Sequence, residues 1–363
     1  MTIQIQNLLH GMVKFDASDL HIKVGSPPCY RVHGSIQPVK NLSSLKPQDT
    51  LELAKQVLNE EQFAEYQTTG DLDCAYSMPG LARFRVNVMR QRGSTSLIFR
   101  KIPADIPDFE SLGLPAVCKQ LAMRPRGLVL VTGPTGSGKS TTLAAMLDFR
   151  NRNERGHILT MEDPVEFVHN DKLSIVNQRE IGSDTKNFAS ALRRALRQDP
   201  DVILVGEMRD LETISLGITA AETGHLVLGT LHTTGAIQTV DRIVDVFPPD
   251  QQTQIRVQLA STLQGVISQV LIPKVGGGRI AAHEIMIGTD AVKACIREGK
   301  TSQLGTILQT GSKLGMELLD SCLGRMVKQG QIELKDAIAK AHHPDSVRRA
   351  AGGAKPEAAL AGS

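Results

Sequence analysis

The feature that most narrows what this chain can fold into is Gly133-Pro134-Thr135-Gly136-Ser137-Gly138-Lys139-Ser140. It meets the phosphate-loop pattern G-x-x-x-x-G-K-[ST] at every fixed position. The chemistry explains the spacing. Glycines let the backbone wind closely around phosphate oxygens. Successive N–H groups and the N-terminus of the next helix then point at the anion. The surroundings fit, because GLVLV comes just before the loop and Leu143, Met146 and Leu147 recur at helical spacing after it. Residues 133–141, ending at Thr141, are therefore the candidate nucleotide-binding segment. Lys139 is expected to reach the β- and γ-phosphates of ATP, and Ser140 to offer its hydroxyl to Mg²⁺.

A strand that ends on such a loop belongs in an α/β sheet. Further short apolar strands are expected at 158–160, 202–205 and 226–228, beside 128–131. They are apolar on both faces, as strands covered by helices must be. Between them Phe188, Ala191, Leu192, Ala195 and Leu196 form one helical stripe, with Arg193, Arg194 and Arg197 off it. Residues 252–272 and 289–343 read as predominantly helical. Residues 1–100 differ: Leu51, Ala54, Val57 and Leu58 share a helical face, whereas 83–88 alternate and pair naturally with 95–100 across Gly93. Three prolines in 101–115 mark a linker. The expected organisation is an N-terminal domain over 1–100, a linker over 101–115, an α/β core over 116–343, and a disordered Ala/Gly-rich tail over 344–363.

Composition excludes several classes. The 363 residues carry a net charge of +3 and only 3% aromatics with no Trp, which argues against a nucleic-acid partner. No apolar run approaches the roughly 18 residues of a transmembrane segment. The N-terminus lacks the basic and apolar regions of a secretory signal. Five cysteines, an odd number with no C-x-x-C spacing, give neither a zinc knuckle nor a disulfide framework. The expected location is cytoplasmic, with peripheral attachment to a membrane complex left open.

Hydrolysis needs a group that orients water. Glu207 follows the strand 202–205 and Gly206, at the end of the sheet where α/β sites are built. Gly206 stands where many phosphate-loop proteins carry a magnesium-holding Asp. Glu162, Asp163 and Glu166 cluster after the strand 158–160. Three carboxylates beside a triphosphate would repel it without a metal or an Arg. Asp163 is thus a candidate metal ligand with Ser140, and Glu162 and Glu166 are candidate water-orienting groups; an ordinary acidic surface loop is the alternative. His225 and His232 flank the strand 226–228. His232, at its carboxyl end, is placed to sense the γ-phosphate, and His225 is equally readable as structural. Arg83, Arg85, Arg90, Arg92, Arg193, Arg194, Arg197 and Arg209 are all available to stabilise transition-state charge, and the residues alone do not choose among them.

The segments MEDPVEFVH (161–169), VILVGEMRD (202–210) and TGHLVLGTLHTTGAIQTVDRI (223–243) follow the loop in an order that resembles the type II/IV secretion ATPase superfamily. ASDLHIKVGSPPCYRVHG (17–34), ARFRVN (82–87) and FRKIP (99–103) resemble its N-terminal part, so the likeness spans about 1–340. The resemblance implies a PAS-like N-terminal domain joined to a RecA-like P-loop ATPase core with C-terminal helices. It also implies a homohexamer with nucleotide between domains of adjacent chains. By position, Glu207 matches the family's catalytic glutamate, and Glu162, Asp163 and Glu166 match its Asp box. His225 and His232 match its His box, and Arg83 and Arg85 its N-terminal arginines that face nucleotide. A tetracysteine insertion and long extra N-terminal domains are missing, which favours the branch that drives type IV pilus retraction and twitching motility from an inner-membrane platform. The stretch 291–300, AVKACIREGK, departs from the family's AIRNLIREGK at Lys293, Ala294 and Cys295. An accessory retraction paralogue, a RecA-like ring NTPase acting on another polymer and a nucleotide-gated regulatory subunit stand as alternatives.

Overall fold

A computed structural model describes residues 3–103 and 105–352. The chain divides into two compact units. The first holds residues up to 105 together with 164–168 and 182–184; the second holds the remainder from 106 onward.

The first unit is built on β1 (Asp19–Ile22), β2 (Cys29–Val32), β3 (Ser35–Pro38), β4 (Asp71–Met78), β5 (Ala82–Gln91) and β6 (Ser94–Lys101). They form one sheet in the order β3-β2-β1-β6-β5-β4, with every neighbouring pair antiparallel. Along β5, Phe84, Val86 and Val88 are buried while Arg83 and Arg85 alternate with them, so the arginines share the face away from this unit's core. The helices Ile5–Lys14, Pro47–Lys55 and Glu60–Thr69 accompany the sheet. The last two are separate because Asn59 starts a new helix: its side chain accepts from Gln62 N at 2.8 Å, and Gln62 Oε1 accepts from Asn59 N at 3.1 Å.

The second unit carries β7 (Gly127–Thr132), β8 (His157–Glu162), β9 (Ile175–Glu180), β10 (Val202–Val205), β11 (Leu226–Leu231), β12 (Leu263–Pro273) and β13 (Arg279–Ile287). Their order is β13-β12-β7-β11-β10-β8-β9, and all neighbours are parallel except β12 and β13. The four expected strands are present, and β7, β10 and β11 are buried throughout. Helices Lys139–Asn153, Phe188–Ala195, Leu211–Glu222, Ala236–Asp245 and Pro249–Thr262 supply the crossovers and cover. The mixed α/β class with two sheets is as expected.

Two expectations are corrected. Residues 252–272 are helical only to Thr262; 263–273 form β12, which pairs with β7 and β13 and has mostly buried residues. A strand covered on both faces shows no alternation, so its apolar run reads equally well as helix. The tail does not begin at 344. Pro344–Ala350 is a helix whose Val347 is fully buried in a small cluster with Leu319, Leu323 and Met326. The rest of the expected tail, 353–363, lies outside the described residues. Among the described residues no helix is long and apolar enough to cross a membrane.

Two buried histidines link this core to pH. Burial pushes His283 down to about 4, with the nearby Arg325 charge adding to the effect, and burial pushes His169 to about 4 as well. The folded state therefore binds fewer protons than the unfolded one below the ordinary value of 6.5. This stability contribution is complete above that value and declines as pH falls toward 4. Thermal unfolding is expected at a lower temperature at pH 5 than at pH 7, with His283→Gln narrowing the gap. A gap of unchanged size in that variant would remove His283 from the account.

Candidate functional site

The site grows from the carboxyl ends of parallel strands. β7 ends at Thr132, which pairs with Leu231, the last residue of β11. The phosphate loop thus leaves the sheet beside the strand end that carries His232. Gly133 has φ +141°, and a Cβ there would lie 2.2 Å from Gln269 O and 2.7 Å from Ser137 Oγ. Gly138 has φ +91° and precedes the helix Lys139–Asn153, which begins without a capping side chain. Its first N–H groups are free for an anion. Among the described residues Ser137 Oγ, which is buried, has no hydrogen-bond partner.

Gln269 on β12 holds the loop from below. Its Nε2 donates to Ser137 O at 2.7 Å, and its Oε1 accepts from Thr142 Oγ1 at 2.9 Å. Lys139 Nζ donates to Gly133 O at 2.8 Å and Pro134 O at 3.1 Å, bending over the loop it belongs to. Burial holds its ammonium below the ordinary lysine range, and the charge of Glu207 pulls it partly back. Pro134, Thr135 and Gly136 are exposed at the loop's crest, with Ser140 and Thr141 opening the helix.

Glu207 is delivered by a tight turn after β10. Gly206 N donates to Met161 O at 2.8 Å and Met208 N to Thr230 O at 2.9 Å. A Cβ at Gly206 would stand 3.0 Å from Met161 O and 3.2 Å from Glu162 Cα. That crowding is a physical reason for Gly where other phosphate-loop proteins have Asp. Met208 is buried and its thioether fills the space left open by Gly217 and Gly229. With Met208 anchored inward, the neighbours Glu207 and Arg209 face outward. Glu207 Oε1 meets Arg209 Nε at 2.5 Å and His232 Nε2 at 2.9 Å. The hydrogen bond to Glu207 also pushes the Arg209 guanidinium pKa further up.

The other expected residues divide. Glu162 accepts from Thr160 Oγ1 at 2.6 Å and Gln178 Nε2 at 3.1 Å, at the end of β8. Asp163 is exposed and close enough to act electrostatically on Arg209. Glu166 is exposed, in the segment 164–168 that folds with the first unit, and Arg83 and Arg85 lie on that unit's β5. His225 sits before β11, its ring Nδ1 3.0 Å from Ala220 O and 3.3 Å from Thr223 Oγ1. That is a helix-terminal contact at the end of the strand away from His232.

A cavity of about 540 Å³ opens beside the loop. Gly138, Thr141, Thr142, Leu271, Lys274 and Arg279 are among the residues that line it. Among the described residues no group of three or more His, Cys, Asp or Glu is gathered around a metal position. Ser140 and Asp163 carry oxygen donors of the kind that suits a hard cation arriving with phosphate oxygens and keeping several waters.

Sequence reasoning missed Gln269, and it could not select Arg209 from eight arginines. Ser268-Gln269, a polar pair inside the apolar run 263–272, is the one local signal of the first.

A family profile described as "Type II/IV secretion system protein" matches residues 1–339. The chain belongs to that family. It is 52% identical over 344 residues to the Pseudomonas aeruginosa protein "Type IV pilus retractation ATPase PilT", covering 95% of this chain and 100% of that one. It is 49% identical to a "Twitching motility protein" of Neisseria gonorrhoeae, covering 88% and 86%. The crystal structure of "the Pilus Retraction Motor PilT and Bound ADP" superposes with TM-score 0.88 at 48% identity, covering 96% of this chain and 99% of that one. This member of the type II/IV secretion family therefore shares its fold with a protein whose crystal structure holds ADP.

The backbone of the loop gives a direct test. Gly133→Ala is expected to weaken binding of a fluorescent ATP analogue by about 100-fold or more, since the new methyl meets backbone that cannot give way. Gly136→Ala, with φ +76° and open space around it, should cost about tenfold at most. Equal losses at the two positions would contradict the clash.

Proposed function

We propose that this chain is an ATP-hydrolysing motor that drives retraction of type IV pili and so supports twitching motility. The carrying observation is the convergence of the glycine loop, Lys139, Glu207 and His232 at adjacent strand ends. The names and close similarity of the retraction ATPase and twitching motility relatives support it.

In this reading main-chain amides of residues 133–141 grip the phosphates. Lys139 leaves its carbonyl partners for the β- and γ-phosphates, and the neighbouring cavity takes the nucleoside. Ser140 and Asp163 are the residues that would hold Mg²⁺, which when bound neutralises charge on the phosphate oxygens. Glu207 accepts a hydrogen bond from the attacking water and aims it at the γ-phosphorus. His232, on the same carboxylate oxygen, reports the γ-phosphate to its own strand. Glu162 sets the end of β8 and Glu166 remains a candidate water-orienting group. Arg83 and Arg85 are proposed to stabilise charge on the transferred phosphoryl group from the N-terminal unit of a neighbouring chain.

Assembly as a homohexamer, seated peripherally in the cytoplasm on an inner-membrane platform protein, then converts turnover into pilus shortening. That conversion requires ATP and ADP to bind two arrangements of the units with different affinities.

Lys139→Ala is expected to abolish both nucleotide binding and phosphate release. Glu207→Gln should keep ATP binding while turnover falls by about 100-fold or more, the scale of a lost water-orienting group. Loss of binding in Glu207→Gln would demote that residue to a structural role. A deletion strain should be hyperpiliated and unable to twitch; bald cells would indicate an extension motor instead.

A further inference from the structure

β11 leads through His232 into residues 233–235 and then the helix Ala236–Asp245. Buried side chains from two other strands hold this turn by its backbone. Gly235 N donates to Ser268 Oγ at 2.8 Å, and Ala236 N donates to Glu284 Oε1 at 2.7 Å. Ser268 and Glu284 are direct cross-strand partners on β12 and β13. The second oxygen of Glu284 accepts from Leu319 N at 3.4 Å, the first residue of the helix Leu319–Lys328. Neither of these two helices has a capping side chain at its own N-cap position. One buried carboxylate serves both from a strand.

The same turn reaches the end of β7, one residue short of the phosphate loop. Thr239 Oγ1 donates to Gly235 O at 2.7 Å and lies 2.7 Å from Thr233 Oγ1. It also lies 3.4 Å from Thr132 Oγ1, on the residue that precedes Gly133. Glu284, Ser268, Thr239 and Thr132 are each 5% exposed or less. A carboxylate buried this deeply is costly unless its oxygens find donors. Here the donors are first-turn amides of two helices, where the backbone dipoles favour negative charge. The arrangement therefore forces a condition: both helices must be seated for the carboxylate to be satisfied.

We infer that Glu284 is a positioning residue for ATP turnover. It fixes segment 233–236 so that His232 stays on Glu207, and it makes that placement depend on the seat of the helix Leu319–Lys328. The inference rests on the reading that Glu207 and His232 serve hydrolysis. Phosphate gripping lies elsewhere, in residues 133–141 held by Gln269. Loss of Glu284 should therefore slow the chemical step without loosening nucleotide.

Wild type, Glu284→Gln and Ser268→Ala are compared by steady-state phosphate release, binding of a fluorescent ATP analogue and amide hydrogen exchange. In Glu284→Gln the amide group offers an N–H to one of the two helix amides, so one of the two bonds is lost. Turnover is expected to fall by about tenfold, the scale of a misplaced catalytic group. KM and analogue affinity should stay within about twofold, and exchange should quicken at 235–238 and 319–322 together. Ser268→Ala should lose less turnover, again at constant KM, with faster exchange confined to 233–236. Unchanged turnover in a folded Glu284→Gln overturns the inference, as does a KM that rises in step with the loss. Should that variant not fold, Ser268→Ala decides alone by the same criterion. An inactive wild type overturns the ATPase reading and this inference with it; an active wild type with indifferent variants overturns this inference only.

Discussion

The parallel register of β7, β10 and β11 is what the rest of the second unit depends on. Parallel strands all deliver their carboxyl ends to one edge of the sheet. Pairing of Thr132 with Leu231, and of Val205 with Gly229, puts three chain exits side by side. The glycine loop leaves the first, the Gly206–Glu207 turn the second, and His232 the third. Antiparallel pairing anywhere among the three would send one of these groups to the far edge. The strands hold their register because Leu128, Val129, Ile203, Leu204, Val227 and Leu228 are buried under helices on both faces. A one-residue slip would exchange which side chains meet each layer.

Two residues, one without a side chain and one with a buried one, then shape what the sheet delivers. Gly206 allows the chain to pass close to Met161 O and Glu162, and Met208 plugs the space beside Gly217 and Gly229. The turn is thus held from both sides of Glu207, by a missing side chain before it and a buried one after it. The acid is left with Arg209 and His232 on a single oxygen.

Much of this could be read in advance, for local reasons. The phosphate loop announces itself by spacing, and Glu207 by following a short apolar strand. The two arginines of β5 alternate visibly with Phe84 and Val86. What stayed hidden is long-range. Thr142 and Gln269 are 127 positions apart, and Gly235 and Ser268 33 apart, and no periodicity links them. β12 reads as helix in sequence because burial on both faces erases the alternation that marks a strand. Pro344–Ala350 carries no helical signature in sequence because so short a helix takes its stability from Val347 packing against another element rather than from its own residues.

Gly133 and Gly138 adopt their positive φ angles, and Gln269 braces the loop between them, through covalent geometry and hydrogen bonds internal to the protein. The cradle is thus preorganised. Little of the binding free energy is lost to ordering it. An anion entering it meets amide donors whose directions are already set before it arrives.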